Sequence, residues 1–245
     1  MECRANIGGV EHERDGRPQP ESHAPAPVRI ARLWWVVSAG TALVLVVLLG
    51  LVIAYRENRE PFGFEIEFMR GIAAVRGDVW TATALVFNAV GRGILSTVVV
   101  PAIVVIGLLL WRRPWAAAYY LVAAIASAAV TRVVKVLVAR PRPDQMLVEP
   151  DVWGFPSGHS ATAALLATAL GIIFLRTWVW VVGAVYTVLM MLSRTYLGVH
   201  WISDTVGGML VGAGVAVIVW APFTYPLYRE HRLPHPPIWR RVPAR

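Results

Sequence analysis

Long charge-free apolar runs alternate along this chain with short polar turns that carry arginine. The first run, Leu33–Ala54, is 22 residues without a charge, and about 20 apolar residues carry an α-helix across the hydrocarbon core of a bilayer. It exceeds the ~7–15 residues of a signal-peptide core and no small-x-small cleavage site follows it, so a span is expected there rather than a cleaved leader. Further runs are Gly93–Trp111, Pro114–Thr131, Ser160–Leu175, Thr177–Ser193 and Thr205–Tyr228. The third is expected to continue helically past Arg132 to about Ala139, and polar helix ends lengthen the two short ones. That pattern predicts an all-α polytopic membrane protein with six transmembrane helices. The stretch Val79–Gly91, thirteen residues between Asp78 and Arg92, is short for a span and reads as an interfacial helix.

The domain reading follows from the same pattern. Residues 1–32 hold four prolines, five acidic and five basic residues; with little apolar surface to offset ordering entropy, they read as a disordered cytoplasmic tail. Residues 33–54 are the first transmembrane helix and 55–92 an extracytoplasmic loop containing the interfacial helix. Residues 93–228 form the membrane core and 229–245 a basic cytoplasmic tail.

Composition agrees with this picture. Apolar residues make up 57% of the chain and charged ones 16%, with a mean hydropathy of +0.57, whereas soluble domains are nearer a quarter charged. One cysteine, Cys3, excludes an internal disulfide framework and a Cys-based zinc site. The net charge of +8 comes from 23 basic residues, of which Lys135 is the only lysine. No polar segment is long enough to form a nucleic-acid-binding domain, so the arginines are read as membrane flanks. They gather at Arg29 and Arg32, at Arg112 and Arg113, at Arg176, and from Arg229 to Arg245. With six spans these segments share one side, which the positive-inside tendency makes the cytoplasm. Both termini are therefore expected inside.

Three polar clusters break the apolar background: Lys135-x4-Arg140-Pro141-Arg142-Pro143, Pro156-Ser157-Gly158-His159, and Ser193-Arg194-x5-His200-x3-Asp204. Span parity puts all three on the face opposite the cytoplasm. Lys135, Arg142 and Arg194 are fixed cations beside a hydrocarbon phase, a costly arrangement unless an anion completes it. Guanidinium forks match phosphate oxygens in bidentate fashion. Ser157 and Gly158 open a helix whose free N–H groups favour an anion. His200 and Asp204 are four apart and stack on one helical face. An Asp bonded to one imidazole nitrogen fixes the tautomer and leaves the other as nucleophile. His159 is placed to protonate a leaving oxygen. Singly, each residue has a plainer explanation: basic side chains snorkel, Ser-Gly caps helices, and His-x3-Asp arises by chance. Their convergence on one face outweighs those explanations. No carboxylate pair is placed for two metal ions, so no metal and no cofactor is expected.

Taken in order, these motifs resemble the type 2 phosphatidic acid phosphatase family, which is related to vanadium haloperoxidases and bacterial acid phosphatases. The resemblance covers roughly residues 93–225, with no substitution at the signature positions. It implies that His200 attacks phosphorus to form a phosphohistidine, oriented by Asp204. It also implies that His159 protonates the leaving group and later helps water attack. Lys135, Arg142, Ser157, Gly158 and Arg194 would hold the phosphoryl oxygens in a metal-independent reaction. The expected partners are membrane lipid and a lipid phosphate or diphosphate, of the phosphatidate, phosphatidylglycerol phosphate or undecaprenyl diphosphate type. A vanadate-dependent oxidation of halide and a non-catalytic lipid transporter on the same scaffold are the alternatives.

Overall fold

The computed structural model describes residues 26–149 and 153–233. Among them the only regular elements are helices: α1 Ala26–Tyr55, α2 Gly63–Ala74, α3 Asp78–Gly91, α4 Leu95–Leu110 (opening with a π-helical turn, Leu95–Val99), α5 Pro114–Val138, α6 Gly158–Phe174, α7 Thr177–Tyr196 and α8 Ile202–His231. The expected tail over residues 1–32 is shortened, because α1 already begins at Ala26; residues 1–25 lie outside the described part. At the other end α8 runs three residues past Tyr228, and residues 234–245 are not described.

Local chemistry fixes the boundaries near the clusters. Pro114 occupies the first turn of α5, where its missing N–H costs nothing. That helix does pass Arg132, as expected, and stops when Ala139 turns left-handed (φ 47°) and donates to the Lys135 carbonyl. Pro141 and Pro143 then prevent any continuation. Ser157 caps α6 by accepting from the Ser160 N–H at 3.5 Å. Asp204, in the first turn of α8, accepts from the Trp201 N–H at 2.9 Å, a capping-box contact.

Six spans were expected. Among the described residues four helices are long and apolar enough to cross a membrane: Leu33–Tyr55 within α1, then α5, α7 and α8. The run from Gly93 yields only α4, joined to α3 through a 56° bend, and this pair would make a fifth crossing. The bend falls where Gly93 takes φ +57°, a conformation glycine adopts without steric cost. The stretch Val79–Gly91 is helical but not isolated: α3 packs along α7, with Gly77 bonded to the Tyr196 hydroxyl at 2.9 Å and Phe87 against Tyr186. α6, at 17 residues, is shorter than a typical span.

α8 and α6 form the centre of the bundle, and α1, α5 and α7 pack around them. Their backbones touch because α8 presents small residues at helical spacing. A Cβ on Gly208 would lie 2.3 Å from the Ser157 carbonyl oxygen, and one on Gly212 would lie 2.1 Å from that of Ala161. Close approach through small residues is the usual way helices pack where lipid removes the hydrophobic incentive. Gly212→Ala is therefore expected to push α6 from α8 and destabilise the protein by about 1–3 kcal/mol. The check is a lowered unfolding midpoint in detergent, with activity falling alongside it because α6 and α8 carry opposite halves of the site.

The far end of the bundle is closed by a buried carboxylate. Glu230 of α8 accepts from the Trp115 and Ala116 N–H groups at 2.7 and 3.2 Å, capping α5 from another helix. It also pairs with Arg113, whose guanidinium donates to the Ile173 carbonyl at the end of α6. Three helix ends are thereby locked at the end opposite Lys135, His159 and His200.

Candidate active site

The three polar clusters do meet at one end of the bundle. Lys135 comes from the last turn of α5, Arg142 from the segment after it, and Ser157 to His159 from the start of α6. Arg194 ends α7, His200 lies in the α7–α8 turn, and Asp204 opens α8. Lys135, Ser157, Arg194, His200 and Asp204 are buried, Ser157 and Asp204 wholly so, and Arg142 and His159 are partly buried.

Lys135 and Arg142 are held by backbone carbonyls and Arg194 by a side-chain amide. Lys135 Nζ and one Arg142 nitrogen both donate to the Trp153 carbonyl at 2.8 Å. A second Arg142 nitrogen donates to the Val199 carbonyl and stands 3.3 Å from His200 Nε2. Arg194 donates to Asn88 Oδ1 of α3 at 2.6 Å. Arg142, Lys135 and Arg194 all lie near enough to act on the charge of His200. Burial first, and then those three cations, hold its imidazole well below the ordinary histidine range. A neutral imidazole keeps a lone pair for attack.

Asp204 stands behind His200. Its Nδ1 is 3.5 Å from Asp204 Oδ2, a loose contact that falls outside hydrogen-bond geometry; such bonds commonly tighten when substrate arrives. Nε2 points the other way, toward Arg142. His159 stands within electrostatic range of Arg194 and His200, and its Nε2 is buried without a hydrogen-bond partner. Buried polar atoms are nearly always bonded, so an orphan needs a reason, and a ligand oxygen would supply one. Gly91 at the end of α3 makes room for that ring: a Cβ there would stand 2.2 Å from His159 Cδ2. Ser157 anchors the turn to α8, its N–H donating to the Asp204 carbonyl at 2.9 Å, and Gly158 opens α6 beside it.

Several contributors escaped the sequence reading. Arg140 belongs to the first cluster but was given no role, and it is fully buried, with one nitrogen donating at 2.7 Å to Asp204 Oδ1 and to Ser203 Oγ. Its other terminal nitrogen meets Glu65 Oε2 of α2 at 2.7 Å. Nothing marked Glu65 among the balanced charges of residues 55–92. Asn88 did leave a signal, as an amide in the apolar second half of α3.

A family model described as the PAP2 superfamily matches residues 116–226, the stretch that carries every site residue from Lys135 to Asp204. Phosphatidylglycerophosphatase B of Bacillus subtilis is 31% identical over 129 residues, 48% of this chain and 64% of its own length. The chain thus spans a little under two thirds of that relative. Decaprenylphosphoryl-5-phosphoribose phosphatase of Mycobacterium tuberculosis is 31% identical over 143 residues, 56% of this chain and 77% of its own. A transmembrane PAP2-type phosphatidylglycerolphosphate phosphatase structure from Bacillus subtilis superposes with a TM-score of 0.65 at 21% identity, covering 82% of this chain and 98% of that one. That likeness concerns the fold. With shared sequence over most of the mycobacterial relative, the matched core and the same helical architecture, the chain belongs to the PAP2 superfamily.

Proposed function

We propose that this protein is an integral membrane phosphatase that hydrolyses a lipid phosphate or diphosphate without a metal ion. The observation that carries the reading is the geometry of His200: a buried ring with Nδ1 3.5 Å from Asp204 Oδ2 and Nε2 3.3 Å from the Arg142 guanidinium. In the first step Nε2 attacks the terminal phosphorus and its bond to the leaving oxygen, that of the lipid alkoxide or the bridging oxygen of a diphosphate, breaks as His159 gives that oxygen a proton. In the second, water attacks the phosphohistidine, His159 takes the water's proton, and the N–P bond breaks to release phosphate. Arg142, Arg194 and Lys135 stabilise the charge that builds on the equatorial oxygens, with Ser157 and the Gly158 N–H completing the cradle. The names of the relatives, a phosphatidylglycerophosphatase and a decaprenylphosphoryl-5-phosphoribose phosphatase, support a substrate whose phosphate is carried by a lipid. They favour this reading over halide oxidation or transport.

The test is phosphate release from phosphatidate, phosphatidylglycerol phosphate and undecaprenyl diphosphate by protein purified in detergent. Turnover is expected on at least one of them. It should survive excess EDTA, because fixed cations hold the phosphoryl group, and be blocked by orthovanadate, which mimics five-coordinate phosphorus. Loss on chelation with recovery on adding Mg²⁺ would overturn the metal-independent mechanism.

We also propose six crossings, counting the bent α3–α4 pair as one and α6 as another, with both termini cytoplasmic and the site extracytoplasmic. The arginine-rich end, with Arg112, Arg113, Arg176 and Arg229, is opposite the site, which supports that orientation. A reporter active only outside the cell should be active when fused after Pro150 and silent after Arg113. The reverse result would sink the orientation.

A further inference from the structure

Glu65 lies fifty residues before the matched family core, on a helix between the first and second membrane runs, yet its side chain is fully buried against the opening turn of α8. Its Oε1 accepts from the Ser203 N–H at 3.0 Å and from the Ser203 hydroxyl. Its Oε2 accepts from the Phe62 N–H at 2.9 Å and from Arg140 at 2.7 Å. One carboxylate thus caps its own helix and α8, and holds one arm of a guanidinium whose other arm holds Asp204. Both carboxylates and the guanidinium are wholly shielded from solvent.

The division of Arg140 between the two acids has a consequence for His200. Arginine and a carboxylate left to themselves favour the bidentate fork, in which two nitrogens engage both oxygens. Here Arg140 reaches Asp204 through one nitrogen and one oxygen only, Oδ1. Oδ2 is left to the Trp201 N–H and the His200 ring. The guanidinium cannot swing further, because Glu65 holds its second nitrogen and Ser203 bridges the two. Without the Glu65 charge, Arg140 would close on both oxygens of Asp204 and draw its electron density from the imidazole.

We propose that Glu65 is a positioning residue for the nucleophile: by holding Arg140 away from the bidentate pairing, it keeps Asp204 Oδ2 available to His200. This rests on the phosphatase reading above. It extends the functional unit to α2, outside the matched core, and gives the loop between the first two membrane runs a role in the rate of the chemical step rather than in substrate capture.

The experiment compares Glu65→Gln, Glu65→Asp and Ser203→Ala with the wild-type protein on one lipid phosphate, reading kcat, KM and inhibition by orthovanadate. Glu65→Gln keeps the shape and removes the charge, so kcat should fall roughly tenfold to a hundredfold, the range seen when the partner orienting a functional histidine is lost. KM and the vanadate inhibition constant should change less than threefold, since the cradle is untouched. Glu65→Asp keeps the charge on a shorter arm and should retain more kcat than Glu65→Gln. A purely structural role gives the opposite order, the isosteric amide outperforming the shortened acid, and that order would overturn the inference. So would a parallel loss of kcat and vanadate affinity. Should Glu65→Gln not fold, Ser203→Ala decides: it removes the bridge and leaves both charges, and kcat should drop severalfold with vanadate inhibition retained, whereas unchanged kcat overturns the proposal. A wild-type protein without turnover defeats the phosphatase reading and this one with it; an active wild type whose Glu65→Gln variant is equally active defeats this one alone.

Discussion

His200→Ala is expected to reduce phosphate release to background on every substrate, a loss of roughly four orders of magnitude or more, as for other enzymes stripped of their nucleophile. No neighbour can substitute. Asp204 is held by Arg140 and wholly shielded, and the Ser157 oxygen already accepts from the Ser160 N–H and hydroxyl, which leaves that hydroxyl as a donor to the cradle and not as a nucleophile. The cradle itself, Lys135, Arg142 and Arg194, is anchored by backbone carbonyls and Asn88 rather than by His200, so the variant should fold and should still bind vanadate. Asp204→Asn leaves the nucleophile but supplies an amide where the imidazole requires a carboxylate. In serine proteases the equivalent change costs about 10⁴ in kcat through the wrong tautomer. Here a loss of roughly 10²–10⁴ is expected, less than for His200→Ala, because Arg142 beside Nε2 still helps to orient the ring. Steady-state kinetics on one lipid phosphate measure both. Wild-type turnover from His200→Ala would remove His200 from the reaction.

How much of this was legible in the sequence follows from how each contact is encoded. Helix ends near the clusters were readable because proline, serine and charge act locally: α5 was expected to pass Arg132 and end near Ala139, and it does. The meeting of Lys135, Arg142, His159, Arg194 and His200 at one end was expected from span parity, which needs one crossing each from the two apolar runs between the second and third clusters. The number of crossings was less readable. Gly93 offers the backbone a left-handed turn within an apolar background, and hydropathy alone does not register a 56° bend. Pairings across long separations were not legible either. Glu65 meets Ser203 138 positions away, and Asn88 meets Arg194 106 positions away. Neither has a period or a spacing that links it to its partner. Gly208 and Gly212 drew no reading from the sequence, because which carbonyls they admit depends on α6 lying against them.

His159→Ala is expected to separate the two halves of the reaction by leaving group. A lipid alkoxide is a poor leaving group and needs a proton as the P–O bond breaks; p-nitrophenolate departs readily without one. General acids contribute typically 10²–10⁴ to such steps, so turnover of a lipid phosphate should fall by about that factor while p-nitrophenyl phosphate loses no more than roughly tenfold. The geometry suits the assignment. His159 Nε2 is buried and has no protein partner, it sits at the α6 terminus beside Arg194 and His200, and the missing side chain at Gly91 leaves the ring its place. A histidine that served only to hold α6 would affect both esters alike. The second step gives an independent reading. If His159 also takes the proton from the attacking water, its loss slows breakdown of the phosphohistidine more than its formation from the aryl ester. Rapid quenching with labelled p-nitrophenyl phosphate should then find more acid-labile phosphate bound to His159→Ala than to the wild-type protein, and none on the double variant that also lacks His200. Equal losses on the two esters, with no accumulation of labelled protein, would show that the proton comes from elsewhere.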